Sequence, residues 1–172
     1  LNISRLVMRH HTNRLSLIKE ILEFEAPISE EWLLKRIVHL LDEKRVNSSA
    51  IDKFSKLLRS DTSGDIIRRG GFLYLKNKEI PMLRVPHENA SVVREVKYIS
   101  LEELSLGMKE ILKQNITVEK SGLFRLLVQQ LGFSRMGDAI LDRLEDALQL
   151  ISKEIDFNGE VLSLKNTTVE KG

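Results

Sequence analysis

Apolar residues recur along the chain in two runs of the same order. In the first run, Leu15, Leu17, Ile18, Ile21 and Leu22 predict an amphipathic helix, because positions three and four apart share one face. Pro27-Ile28 predicts a short extended piece, since proline disfavours helix in the residue before it. Ser29 predicts an N-cap, with Glu30 and Glu31 in the first turn where the helix dipole favours acids. Leu33, Ile37, Leu40 and Leu41 form the inward face of that second helix. Asn47, Ser48 and Ser49 are N-cap residue types and open a third helix, with Ile51, Phe54, Leu57 and Leu58 inward. The loop Asp61-Thr62-Ser63-Gly64 follows. Then Ile66-Ile67, Arg68-Arg69-Gly70-Gly71 and Phe72-Leu73-Tyr74-Leu75 predict strand, turn and strand.

A shift of 90 residues lays the second run on the first. Lys19-Glu20-Ile21-Leu22 falls on Lys109-Glu110-Ile111-Leu112, Leu33 on Leu123, Val38 on Val128, Arg45 on Arg135 and Leu58 on Leu148. After a one-residue gap, Gly70 falls on Gly159 and Leu75-Lys76-Asn77 on Leu164-Lys165-Asn166. The second run predicts a helix on Leu104, Met108, Ile111 and Leu112, and a short strand at Thr117-Val118. Two more helices follow, on Leu123 to Leu131 and on Ile140 to Leu148. Asn158-Gly159 between alternating apolar residues predicts a hairpin with a type I′ turn.

Helix, short strand, helix, helix, strand, strand is the winged-helix order, with the hairpin as wing. The expected fold class is therefore α+β, a tandem repeat of two winged-helix domains. The expected divisions are an N-terminal extension over 1–13, domain 1 over 14–79, a connector over 80–100, domain 2 over 101–167 and a tail over 168–172. The connector holds Pro81 and Pro86, and its alternating Met82, Leu83, Val85, Val92, Val93, Val96 and Tyr98 predict one or two short strands.

Composition narrows the function. The chain has 172 residues and no cysteine, which removes disulfide scaffolds, thiol catalysis and cysteine-based zinc sites. No apolar run approaches the roughly 20 residues of a membrane span, and no secretory leader is expected. A cytoplasmic setting is expected, with no membrane partner. The chain starts Leu1-Asn2-Ile3-Ser4 without a methionine, and is expected to be a piece of something longer. The net charge of +2 conceals an asymmetry. Residues 1–87 carry 16 Lys plus Arg against 11 Asp plus Glu, whereas residues 88–172 carry 11 against 14.

The stretch Glu25-Ala26-Pro27-Ile28-Ser29-Glu30-Glu31-Trp32-Leu33-Leu34-Lys35-Arg36-Ile37 resembles a domain of unknown function. That domain lies at the C-terminal end of large bacterial superfamily I DNA helicase proteins, which often also carry a restriction-endonuclease-like nuclease domain. Leu131-Gly132-Phe133-Ser134-Arg135-Met136-Gly137-Asp138-Ala139-Ile140 is similar to another stretch of that family, and the likeness runs over residues 14–166. It implies a non-catalytic module of an ATP-driven DNA translocase, with the remainder of that helicase chain as a partner. One departure stands out. Asp42-Glu43-Lys44-Arg45-Val46-Asn47 has no glycine where the second copy has Gly132 and Gly137, so the two third helices are expected to start differently.

Catalytic chemistry is thin. No Gly-Lys pair occurs, so no phosphate-cradling ATPase loop is present. Glu95-Val96-Lys97, with Asp65 far upstream, is the nearest approach to a nuclease metal motif, and it reads more simply as solvated connector. His10, His11, His39 and His87 share no metal-ligand spacing. No metal or other cofactor and no catalytic residue is expected. Binding remains. In a winged helix the third helix lies in the major groove and the wing reaches the backbone. Phosphate contacts come from Lys, Arg, hydroxyl and amide groups. The expected contacts with duplex DNA are therefore Asn47, Ser48, Ser49, Lys53, Lys56 and Arg59 on the third helix, and Arg68 and Arg69 at the wing. The second copy carries Asp138, Asp142, Glu145 and Asp146 in the same place. It suits protein contact instead, so the alternative function is docking onto a helicase body or partner, or formation of a homodimer. Trp32 is expected to pack rather than to stack on a base.

Overall fold

Asn13 starts the first described helix: its side-chain oxygen accepts from the Ser16 N–H at 3.0 Å. In a computed structural model of the chain, residues 13–86 and 93–165 are described. His10, His11, His87, Val92, Asn166 and the 168–172 tail lie outside them. The chain divides into two compact units, Leu1–Ile80 and Pro81–Gly172.

In unit 1, α1 (Arg14–Glu25) buries Leu17, Ile18, Ile21 and Leu22, and leads through β1 (Ile28–Ser29) to α2 (Glu30–Ile37). Ser29 caps α2 by accepting from the Trp32 N–H. A 3-10 turn over Val38–Leu41 ends with Asp42 in the left-handed region, at φ 61°. Then α3 (Ser48–Arg59) opens on Asn47, whose side chain accepts from the Ala50 N–H at 2.8 Å. The hairpin of β2 (Ile66–Arg69) and β3 (Phe72–Leu75) closes an antiparallel sheet of order β1-β3-β2. The three helices and the inner face of the sheet share one core, centred on fully buried Ile18, Ile21, Leu33 and Leu73. Trp32 packs against the edge of that core, as expected.

Unit 2 repeats the order with α4 (Leu101–Asn115), β4 (Val118–Glu119), α5 (Lys120–Gln130), α6 (Asp138–Leu150), β5 (Ile155–Asn158) and β6 (Val161–Leu164). Its sheet has the matching order β4-β6-β5. The described residues therefore form an α+β protein with two three-stranded antiparallel sheets. The repeat extends to single bonds. Glu30 N–H donates to the Gly71 carbonyl at 2.9 Å, and Lys120 N–H to the Glu160 carbonyl at 2.8 Å. Lys19 pairs with Asp65 at 2.9 Å, and Lys109 with Glu154 at 3.0 Å. Each partner sits 90 residues on before the gap and 89 after it, as the sequence alignment requires.

Several expectations change. Asn158 is the last residue of β5, paired with Val161, so the turn residues are Gly159-Glu160. Gly159 has φ 64° and Glu160 is not in the positive-φ region, so this is not a type I′ turn. The turn with positive φ at both central residues is in unit 1, at Gly70 (56°) and Gly71 (77°), where neither residue carries a Cβ to clash. Ile51 is 49% exposed and its counterpart Leu141 is 37% exposed. The core instead takes Ala50, Phe54 and Leu58, spaced four apart along α3. The third helices start at equivalent residues, Ser48 and Asp138, and differ only in the cap: Asn47 bonds the helix end, whereas Gly137 has no side chain to do so.

The described connector residues form no strand. Val96–Tyr98 is a 3-10 turn, and Leu83, Val96 and Ile99 pack into the unit 2 core. Ionic contacts hold the segment from both sides of the stretch left undescribed. Arg84 donates to Glu103 through Nε at 3.0 Å and through its second guanidinium nitrogen at 2.8 Å, and Arg94 donates to it at 2.7 Å. Glu103 is completely buried in the first turn of α4. Burial alone would push its carboxyl up. The hydrogen bonds and charges of Arg84 and Arg94 outweigh that and hold it below the ordinary glutamate value. A pleated strand would leave these two arginines no common target, which is why the alternating pattern misleads here.

Candidate nucleic-acid interface

The eight residues expected to meet DNA come from three places in unit 1: the start of α3, its exposed face, and the end of β2. At the helix start an acid has gathered the donors. Glu43 accepts from Lys53 Nζ at 2.8 Å, Ser49 Oγ at 2.7 Å and Asn47 Nδ2 at 3.1 Å. These bonds, that of Lys53 foremost, hold the Glu43 carboxyl down to about 2. The site at the helix N-terminus that favours an anion is thus already served by a carboxylate from the same chain. Lys53 also reaches the Leu41 carbonyl at 3.3 Å. Ser48 is exposed on the first turn.

Further along α3 the picture reverses. Lys56 and Arg59 are exposed, three residues apart, and so on one face of the helix. Neither side chain makes a hydrogen bond or an ion pair with any described residue. Lys44 and Arg45, in the loop that feeds α3, are likewise exposed and without such a partner. The run Asp42-Glu43-Lys44-Arg45 averages to neutral, and only the fold shows that Glu43 turns inward to α3 while Lys44 and Arg45 do not.

The hairpin arginines lie one residue earlier in the structure than a tip would need, as the last two residues of β2. Successive strand residues face opposite sides of a sheet, so the pair is split. Arg68 shares the inner face with Leu73 and Leu75, and forks onto Glu30 through Nε at 3.0 Å and a terminal nitrogen at 2.6 Å. That fork raises the Arg68 pKa further above its ordinary value. Arg69 lies on the outer face with its guanidinium 4.4 Å from the centre of the Tyr74 ring.

In unit 2 the loop before the third helix keeps one exposed cation, Arg135, the counterpart of Arg45, but the helix itself is acidic. In α6 the exposed Asp138, Asp142 and Asp146 fall at i, i+4 and i+8 and form an acidic stripe, with Glu145 tied to Lys120 at 2.6 Å. Glu95 precedes the 3-10 turn Val96–Tyr98, and Lys97 stands 3.6 Å from it. Among the described residues no group of three His, Cys, Asp or Glu side chains is placed to hold a metal. No described helix is long and apolar enough to cross a membrane. His39 is exposed. No family model, curated protein or solved structure matches this chain.

Proposed function

We propose that the chain is a non-catalytic module whose two units are winged-helix domains, and that unit 1 binds duplex DNA. The observation that carries the reading is the set of four exposed cations around α3, namely Lys44, Arg45, Lys56 and Arg59, none with a partner among the described residues. A helix lying in the major groove brings such side chains to the flanking phosphates. Arg69 adds a contact from the hairpin. Lys53 and Arg68 are held by acids, so they contribute position more than free charge. The resemblance of residues 25–37 and 131–140 to the helicase-associated domain supports a place beside a cytoplasmic DNA translocase, with that chain as partner.

Binding of this kind is dominated by phosphates and weakens with salt, each contact lowering the slope of log K against log salt by about 0.9. The test is a fluorescence anisotropy titration of the full chain on a short duplex over a range of salt. The double variant Lys56→Ala with Arg59→Ala is expected to weaken binding on every sequence tried and to flatten the slope by about 2. Binding that ignores salt, or variants at all four cations that bind like the parent, would sink the reading.

A second reading is favoured by one observation, the exposed acidic stripe of α6. It repels phosphate and suits a basic protein surface. In this reading unit 2 docks onto a partner while unit 1 holds DNA.

A further inference from the structure

Gly107 lies in the middle of α4 and is buried. A Cβ there would come within 2.6 Å of Leu83 Cδ2 and 2.8 Å of Leu127 Cδ1. The missing side chain lets the 81–86 segment lie close against the helix, with Leu83 filling the space above Gly107. The corresponding residue of unit 1 is Leu17, which is buried in its own core. With Leu83 turned in, the same segment presents Met82, 65% exposed, and Val85, 54% exposed. Together with Leu106 and Leu164 they line a groove of about 1040 Å³. Two large apolar side chains therefore stand open side by side in one groove, beside a set of lysines.

The same groove carries four lysines, Lys109, Lys113, Lys153 and Lys165, against two acids, Glu110 and Glu154. Lys109 is occupied by Glu154 at 3.0 Å, the pair that unit 1 shares. Lys113 lies 4.0 Å from Glu110. Lys153 and Lys165 are exposed and form no ion pair with any described residue. The repeat shows which of these charges are structural. The position of Lys113 is Glu23 in unit 1, and that of Lys153 is Gly64. Unit 2 keeps the shared pair and adds two cations, one by charge reversal, although it is the more acidic half of the chain.

We propose that this groove docks an acidic amphipathic helix of another protein chain. Its apolar anchors, at the i, i+3, i+4, i+7 spacing of helix-in-groove recognition, sit on Met82, Val85 and Leu106. Its flanking carboxylates face Lys113, Lys153 and Lys165. Methionine suits this role because its unbranched, polarizable side chain adapts to the anchor it receives. A fatty acid needs one cation at one end, whereas these lysines come from α4, the turn before β5 and the end of β6. A nucleic acid has no use for the apolar lining. This surface is independent of the DNA reading, which concerns unit 1 alone.

The test uses the full chain and a labelled synthetic helical peptide of about 16 residues, with leucine at the anchor spacing and glutamate on the flanks. Controls are the same peptide with lysine for glutamate, dodecanoate, and the duplex used for unit 1. The glutamate peptide is expected to saturate at least about tenfold more tightly than the lysine peptide. Lys153→Glu with Lys165→Glu should weaken it about tenfold, a loss of the size expected for reversing two exposed charges. Met82→Ser with Val85→Ser should weaken it by a similar factor. All four side chains are exposed, so circular dichroism melting should be unchanged, and duplex binding should also be unchanged. Equal binding of the two peptides, or unaltered binding in the charge-reversed variant, would overturn the proposal. So would dodecanoate binding without peptide binding, which would make the groove an acyl site, or sedimentation showing the groove closed by a second copy.

Discussion

Lys53 donates to Glu43 at 2.8 Å, so a cation on the exposed side of α3 is already neutralised from within the chain. Two neighbours complete the arrangement, Asn47 and Ser49, which also donate to Glu43 and are among the groups proposed to meet phosphate. Glu43 thus acts as an internal competitor. Replacing it with glutamine should free Lys53 and raise duplex affinity several-fold. The salt slope should steepen by about 0.9, the value of one added phosphate contact. Anisotropy at three or more salt concentrations reads both. An affinity that falls would mean that Glu43 matters mainly by ordering the start of α3.

The same pair predicts an acid dependence. The folded carboxyl of Glu43 titrates at about 2, against about 4.3 for an unfolded glutamate. A depressed folded value contributes stability above the unfolded value, and that contribution disappears as pH falls from there toward 2. Glu43→Gln should therefore flatten the acid limb of a stability-against-pH curve below about pH 4.3, while above that pH parent and variant should have parallel curves.

Arg68 and Arg69 should separate by function. Arg68 is forked onto Glu30 and still 43% exposed, so Arg68→Ala should cost about 0.5–1 kcal/mol of stability, as partly exposed pairs do. Its effect on DNA affinity should be small. Arg69→Ala should weaken duplex binding, and its lost stacking on Tyr74 should cost about 0.5–1 kcal/mol of stability. Urea melts and anisotropy on the same two proteins check this, and an exchange of the two effects on duplex binding would refute the assignment of faces.

Glu103 is the only acid among the described residues that is completely buried, and two arginines depend on it. Glu103→Gln should destabilise unit 2 by about 3 kcal/mol, the lower end for breaking a buried pair, because both arginines reach solvent. The folded carboxyl lies below its ordinary value. Its contribution is therefore complete above about pH 4.3 and is lost as pH falls further. The glutamine variant should lack that acid-dependent part.

Ile116 ends α4 at φ 58°, ψ −58°, a backbone region that a β-branched residue adopts only under strain. Its side chain is 81% exposed, so no packing offsets that strain. Ala26, at the corresponding place in unit 1, is extended instead. Ile116→Gly relieves a strain of about 1–3 kcal/mol and adds about 0.5–1 kcal/mol of unfolded-state entropy. The melting temperature should rise, and a fall would show that the residue does not adopt this conformation.

The repeat was legible at once, because ten identities in the 41 positions from 18 to 58 cannot be read any other way. So were the helices, since Ile18, Ile21 and Leu22, or Met108, Ile111 and Leu112, can share a face only at helical spacing. The hairpin register was less so. Asn158-Gly159 is a strong local signal, yet the strands pair Asn158 with Val161, because the Lys120-to-Glu160 bond and the buried Ile155 and Leu162 fix the register from outside the turn.

The candidate site divides along the same line. Residue types and helix caps come from local rules, so Asn47 as a cap and Lys56 with Arg59 on one face follow from the sequence alone. Which cations are free does not, because an ion pair joins positions that only the fold brings together. Glu43 meets Lys53, Glu30 meets Arg68, and Arg84 meets Glu103 across 10, 38 and 19 residues. The order of elements and their apolar faces were set by spacing along the chain. The charges left available for a partner were set by distance in space, since a carboxylate within hydrogen-bond reach neutralises a cation wherever it lies in the sequence.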